Sequence, residues 1–188
     1  MGATARPRQR ARGLVDAVLE AHGRLDVLVN NAGTTQVIPH TDLAAATPEV
    51  WRHLYDVNVI APFVLVTAAE AALREAKGCV VNISSLAGVK PTGSSIPYAA
   101  SKAAFNHQTR LLAKALGPDI RVNAVAPGLV DTPWTADWHE IRALVQAMAP
   151  MKRSALPADV AEVVMGLVRS DFLTGEVIVL DGGMSLLP

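Results

Sequence analysis

Cysteine is nearly missing from this chain: Cys79 stands alone among 188 residues. An internal disulfide is thereby excluded, and the thiol's place in an apolar run predicts a buried side chain in a reducing cytoplasm. Net charge is missing as well, since 17 Lys and Arg balance 17 Asp and Glu. Without a basic excess there is no electrostatic footprint for nucleic acid or for an anionic membrane surface, so small molecules and other proteins are the expected partners. The opening MGATARPRQRARG carries Arg6, Arg8, Arg10 and Arg12 with no apolar stretch directly behind it, unlike a secretory signal. Arg6 stands where an N-myristoylation signal needs Ser or Thr. No uninterrupted apolar run approaches the roughly 20 residues that span a bilayer, so no membrane partner is expected. The five histidines show no metal-ligand spacing. Asn82-Ile83-Ser84 matches a glycosylation sequon, but it falls inside a strand-like run and is discounted.

What is present is apolar substance in a regular alternation. Hydrophobic residues make up 51% and charged residues 18%, enough for one sizeable core, so residues 1–188 read as a single domain. A helical stretch from about Arg8 to His22 precedes the apolar run LDVLVNN, Leu25 to Asn31. Thr47-Pro48-Glu49 supplies a capping residue and a proline at the first helical position, opening a long helical pattern that closes near Gly78 and should kink at Pro62. CVVNIS follows from Cys79 to Ser84, then a loop rich in Gly, Pro and Ser through Pro97, and a helix from about Tyr98 to Leu116. IRVNAVA, Ile120 to Ala126, precedes an irregular stretch from Pro127 to Leu156. A helix from about Pro157 to Ser170 and a strand from Glu176 to Leu180 complete the pattern. Short apolar strands separated by helices imply a parallel sheet covered on both faces: a doubly wound, Rossmann-like α/β fold.

Tyr98 and Lys102 form Tyr-x-x-x-Lys, which places both side chains on one helix face a turn apart. An ammonium there could lower the pKa of the phenol, ordinarily near 10, toward the range of an acid/base catalyst. Alone, such a pair is commonly just a surface contact. It keeps company, however, with Asn30-Asn31-Ala32-Gly33 at the first strand's end, Asn58 in the long helix, Ser85 thirteen residues before Tyr98, and Pro127-Gly128 after the third strand.

In this set and order the sequence resembles the short-chain dehydrogenase/reductase family, and within it members like 3-oxoacyl-carrier-protein reductase. The resemblance implies hydride transfer between NAD or NADP and a carbonyl or alcohol substrate. It implies that Ser85 hydrogen-bonds the substrate oxygen, that Tyr98 exchanges the proton, and that Lys102 holds the nicotinamide ribose and lowers Tyr98's pKa. Asn58 corresponds to a water-holding asparagine, although bracing the helix is its duller alternative. Asn31, Ala32, Gly33, Pro127, Gly128, Val130 and Thr132 correspond to cofactor-lining positions. Ser84 reads as a structural hydroxyl. Trp134, Trp138, Met148 and Met151 fall where the family has its substrate lid, which points to an apolar, moderately bulky substrate or simply to lid packing. The helices Pro48 to Lys77 and Tyr98 to Leu116 imply a homodimer or homotetramer.

The family pattern also begins with a strand, a glycine-rich turn and two further strands, none of which is found here. In the family's strand order 3-2-1-4-5-6 those three strands are one side of the sheet, so the remaining four should form a contiguous block with LDVLVNN as an exposed edge. The domain is therefore expected to be incomplete at its N-terminus. A second class of function stays open: a catalytically silent remnant or assembly subunit that binds cofactor poorly.

Overall fold

A computed structural model of the protein describes residues 5–187. The acylation position Gly2 lies outside the described residues. Four strands, β1 (Val27–Asn30), β2 (Cys79–Ile83), β3 (Arg121–Pro127) and β4 (Val177–Leu180), form one parallel sheet in the order β1-β2-β3-β4. The register pairs Asn30 with Asn82 and Asn82 with Ala124. β1 is an edge of this sheet, and Val29 on it is exposed, as the strand-order argument requires.

The connecting helices are α1 (Ala5–His22), α2 (Pro48–Tyr55), α3 (Ala61–Ala76), α4 (Ile96–Leu116), α5 (His139–Met148) and α6 (Pro157–Arg169). Successive strand residues point to opposite sheet faces, and each face receives its own helices. Val80 and Val122 join Val15, Val66, Leu73 and Leu116 of α1, α3 and α4 in one buried cluster. Val81 and Val125 join Leu167, Val163 and Val164 of α6 in the other. Complete burial of a valine or leucine contributes about 1.5–3 kcal/mol, so these two layers are the main stabilisation of the fold.

Several sequence expectations need correction. The long helix expected to kink at Pro62 is interrupted just before that residue. There α2 passes into α3 through a π-helical turn, Asp56–Ile60. Proline has no N–H to give the carbonyl four residues back, that of Asn58, and a widened turn accommodates this mismatch while the helix continues. Thr47 is at the N-cap of α2 in extended conformation, but its side chain makes no capping bond. The stretch from Pro127 to Leu156 is less irregular than expected, because it contains α5, whose Ile141, Leu144, Val145 and Met148 recur at helical spacing. Helix α4 opens two residues earlier than expected, at Ile96, with Ser95 as its cap.

Taken together, Pro48–Ala76 is a helical run of 29 residues, and an 18-residue window within it has a mean hydropathy of 1.5, long and apolar enough by composition to cross a bilayer. In the fold Val66, Ala69 and Leu73 of this run are buried in the core against the sheet, while Ile60 and Phe63 stay exposed and 28% of the window is buried in all. Cys79 is buried at the start of β2, and desolvation pushes its thiol pKa up. Asn82 of the sequon is wholly buried, donating to Thr109 Oγ1 at 2.9 Å and accepting from Asn30 Nδ2 at 2.8 Å.

Candidate active site

The C-terminal ends of the four parallel strands open onto one cavity of about 1200 Å³. Ser85, Tyr98 and Lys102 line it, together with Asn31, Ala32 and Gly33 after β1 and Pro127, Gly128, Val130 and Thr132 after β3. Ten of the eleven expected site residues thus share one space. Asn58 is the exception and sits behind it.

Each of these side chains is placed by local structure. Ser85 follows β2 in extended conformation, and its hydroxyl accepts from the N–H of Ala87 at 3.2 Å, capping the short 3-10 turn Leu86–Gly88. Accepting that bond leaves the hydroxyl proton available for another oxygen. Ser95, at the N-cap of α4, accepts from the N–H of Tyr98 at 3.3 Å, which fixes Tyr98 in the first helical turn. One turn later Lys102 is 4% exposed, with its Nζ donating to the carbonyl of Ile83 at 3.0 Å. The ammonium lies 6.0 Å from the Tyr98 ring centre and 5.5 Å from that of Phe105. Ser84 also lines the cavity but is buried, and its hydroxyl reaches only the Lys102 carbonyl at 3.4 Å, whereas Ser85 is the serine that hydrogen-bonds with Tyr98.

The electrostatics differ from expectation in one respect. Tyr98's pKa is raised, not lowered: desolvation raises it, and hydrogen bonding with Ser85 offsets this only in part. Desolvation also lowers the pKa of Lys102, to about 8. Burial opposes whichever form is charged, and here it acts on both groups in opposite directions. The sequence spacing showed that the two were adjacent but not that both were dry.

Asn58 performs a bracing task. Its Oδ1 accepts from the N–H of Thr34 at 2.9 Å, while Nδ2 donates to the Thr34 carbonyl and to Ser101 Oγ, each at 3.0 Å. It therefore clamps the turn after Gly33 to α4. A Cβ on Gly33 would lie 3.4 Å from Asn58 Oδ1 and 3.5 Å from Lys102 Nζ, in ordinary contact with both.

Other positioning residues escaped the sequence reading. Thr135 donates to the Val130 carbonyl at 2.6 Å, and Arg142 of α5 donates to Asp131 at 2.8 Å and to the Thr135 carbonyl at 3.0 Å. Thr35 and Ser94 share a 2.5 Å hydrogen bond that ties the segment after Gly33 to the loop before α4. These pairs are far apart or irregularly spaced in sequence, and no periodicity marks them. Among the described residues no group of three His, Cys, Asp or Glu is placed to hold a metal ion.

A family profile described as enoyl-(acyl carrier protein) reductase matches residues 5–185. A protein named as ketoacyl reductase 2 of the granaticin polyketide synthase, from Streptomyces violaceoruber, is 55% identical over 94% of this chain and 73% of its own length. The chain belongs to the short-chain dehydrogenase/reductase family. The 3-oxoacyl-[acyl-carrier-protein] reductase FabG of Thermotoga maritima is 37% identical over 94% of this chain and 73% of that protein. Among solved structures, a short-chain dehydrogenase/reductase from Burkholderia xenovorans superposes with a TM-score of 0.90 and 40% identity, covering 96% of this chain and 73% of that one. ElxO with NADP bound superposes with a TM-score of 0.86 and 27% identity, covering 96% and 75%. As a short-chain dehydrogenase/reductase, the protein is an NAD(P)-dependent oxidoreductase.

Proposed function

We propose that the protein reduces a carbonyl compound, or oxidises the corresponding alcohol, at a site formed by Ser85, Tyr98 and Lys102. The observation that carries this reading is their convergence on one cavity wall, beside the Asn31–Gly33 turn and the Pro127-Gly128 turn. Bound NAD(P)H supplies the hydride that the carbonyl carbon accepts. Tyr98 Oη delivers the proton to the carbonyl oxygen, and in the alcohol direction takes it back. A phenol held in its protonated form by burial suits the donor role. Ser85 keeps its proton and donates a hydrogen bond to the same oxygen, stabilising the charge that grows there.

Lys102 uses one N–H on Ile83, which leaves two for the ribose hydroxyls of the cofactor's nicotinamide half. Asn31, Ala32, Gly33, Pro127, Gly128, Val130 and Thr132 would enclose that half. Glycine at position 33 suits such a ligand, since a side chain there would take up space beside Lys102. Asn58 acts through the Thr34 turn as a positioning residue. Steady-state ketone reduction, followed by loss of reduced-nicotinamide absorbance, tests the assignment: Ser85→Ala should lower kcat about 100-fold. A variant as fast as the parent would remove Ser85 from the site.

We also infer a homo-oligomer, supported by the exposed Ile60 at the end of the π-turn, Phe63 at the start of α3 and Leu111 on α4.

A further inference from the structure

The lid side of the cavity is built from the 3-10 turn Pro133–Thr135 and α5. Its apolar residues are not consumed by packing. Of the helical stripe Ile141, Leu144, Val145 and Met148, only Val145 is buried. Ile141 and Leu144 line the cavity yet remain 47% and 49% exposed, and Trp134 beside them is 55% exposed. Trp138 completes this surface. Half-exposed aromatic and branched side chains around a cavity favour an apolar occupant, whose burial would cover them.

The charges around the same cavity exclude another class of occupant. Two cations line it among the described residues, Lys102 and Arg153. Lys102 is bonded to Ile83 and assigned to the cofactor. Arg153 spends both terminal nitrogens on Asp159, at 2.6 and 2.9 Å, and one also donates to the Ser154 carbonyl. The lid itself contributes two carboxylates, Asp137 and Glu140, flanking His139. Asp181 is engaged by the N–H groups of Gly183 and Ser185 at 2.9 and 2.6 Å. An anionic substrate would meet acidic side chains at the lid and find no uncommitted cation.

We propose that the substrate is an uncharged ketone or alcohol with a branched or ring-bearing apolar body, seated against Trp134, Trp138, Ile141 and Leu144, and that carboxylated or phosphorylated substrates are rejected. This rests on the reading of Ser85, Tyr98 and Lys102 as the reaction centre, which fixes where the carbonyl end lies.

Two ketones of similar shape test it: 4-tert-butylcyclohexanone and 4-oxocyclohexanecarboxylate, which exchange an apolar branch for an anionic one. Binding of each to the full chain is measured by calorimetry, and NADPH-dependent reduction is measured separately. The neutral ketone should bind at least about tenfold more tightly and show a kcat/KM at least about tenfold higher, because a desolvated unpaired charge is costly. Leu144→Ala should weaken the neutral ketone by about three- to tenfold, and Glu140→Lys should narrow the ratio between the two. Equal or tighter binding of the carboxylate, or binding of neither, overturns the proposal. Preferential binding of the neutral ketone without any reduction would leave the substrate class standing and defeat the reaction assignment. Equal reduction of both would do the reverse.

Discussion

Lys102 donates to the main-chain carbonyl of Ile83 at 3.0 Å, and with the bond from Asn82 to Thr109 it ties the helix bearing Tyr98 to the strand that leads into Ser85. The lysine side chain crosses between α4 and β2 within a buried setting, so its charge state is coupled to the geometry of both candidate catalytic groups.

That burial has a pH signature. The folded-state pKa of Lys102 is near 8, below its ordinary 10.5. Between those values the unfolded chain holds a proton that the folded chain has released, so stability contributed by this group rises with pH across that window. Tyr98 acts oppositely but only above about pH 10, where the unfolded phenol ionises first. Urea unfolding at intervals from pH 7.5 to 9.5 should therefore show a rise that Lys102→Met abolishes. A parallel pH dependence in both proteins would contradict the burial of an ionisable lysine.

Lys102→Ala should also weaken cofactor binding and alter the pH profile of kcat, if one ammonium serves both ribose and phenol as proposed. Titration of NADPH by fluorescence and a kcat–pH profile read these separately. Unchanged affinity together with an unchanged profile would count against both roles.

A third expectation concerns Gly88, where the turn after Ser85 meets α4. A Cβ there would fall 2.6 Å from the Lys102 carbonyl carbon and 2.8 Å from Asn106 Nδ2. Backbone cannot yield as a flexible side chain would, so Gly88→Ala should cost on the order of 1–3 kcal/mol and displace Ser85 from Tyr98. Thermal unfolding should show a lower Tm, accompanied by a fall in kcat. A variant with parental Tm and kcat would mean that this contact is looser than it is drawn.

How legible was this in the sequence? The parallel sheet followed from the alternation of apolar strands with helices, and the adjacency of Tyr98 and Lys102 from their i, i+4 spacing, because those patterns are what the sheet and α4 physically require; the strand order and the place of Ser85 beside them were implied by the family resemblance. The π-turn at Asp56–Ile60 was not legible: proline signals a lost hydrogen bond without saying whether the helix bends or widens. Helix α5 hid because Trp138 gives no capping signal and apolar Ile141 and Leu144 face a cavity instead of the core. The raised pKa of Tyr98 depends on burial by segments distant in sequence, which local spacing does not report.

Cofactor affinity offers a further check. The 188 residues contain no glycine-rich turn to hold a pyrophosphate on a helix N-terminus. Hydrogen bonds to charged groups contribute about 1.5–3 kcal/mol each, and every 1.4 kcal/mol is about tenfold. This chain should therefore bind NADH and NADPH orders of magnitude more weakly than a relative with that turn. Low-micromolar affinity in calorimetry would show that another segment, such as one from a neighbouring subunit, holds the phosphates.

Oligomeric state is checked by light scattering, which should give a dimer or tetramer at micromolar concentration. A monomer would leave the outward apolar residues Ile60, Phe63 and Leu111 without the role inferred for them.

The central claim is that Tyr98 is the proton donor, and Tyr98→Phe tests it most directly, because the substitution removes one hydroxyl and little else. Ketone reduction should be measured at millimolar NADPH for both proteins, with circular dichroism confirming an unchanged fold. The account predicts a loss of about 100-fold or more in kcat with native secondary structure retained. Turnover by the folded variant at the parental rate would contradict it.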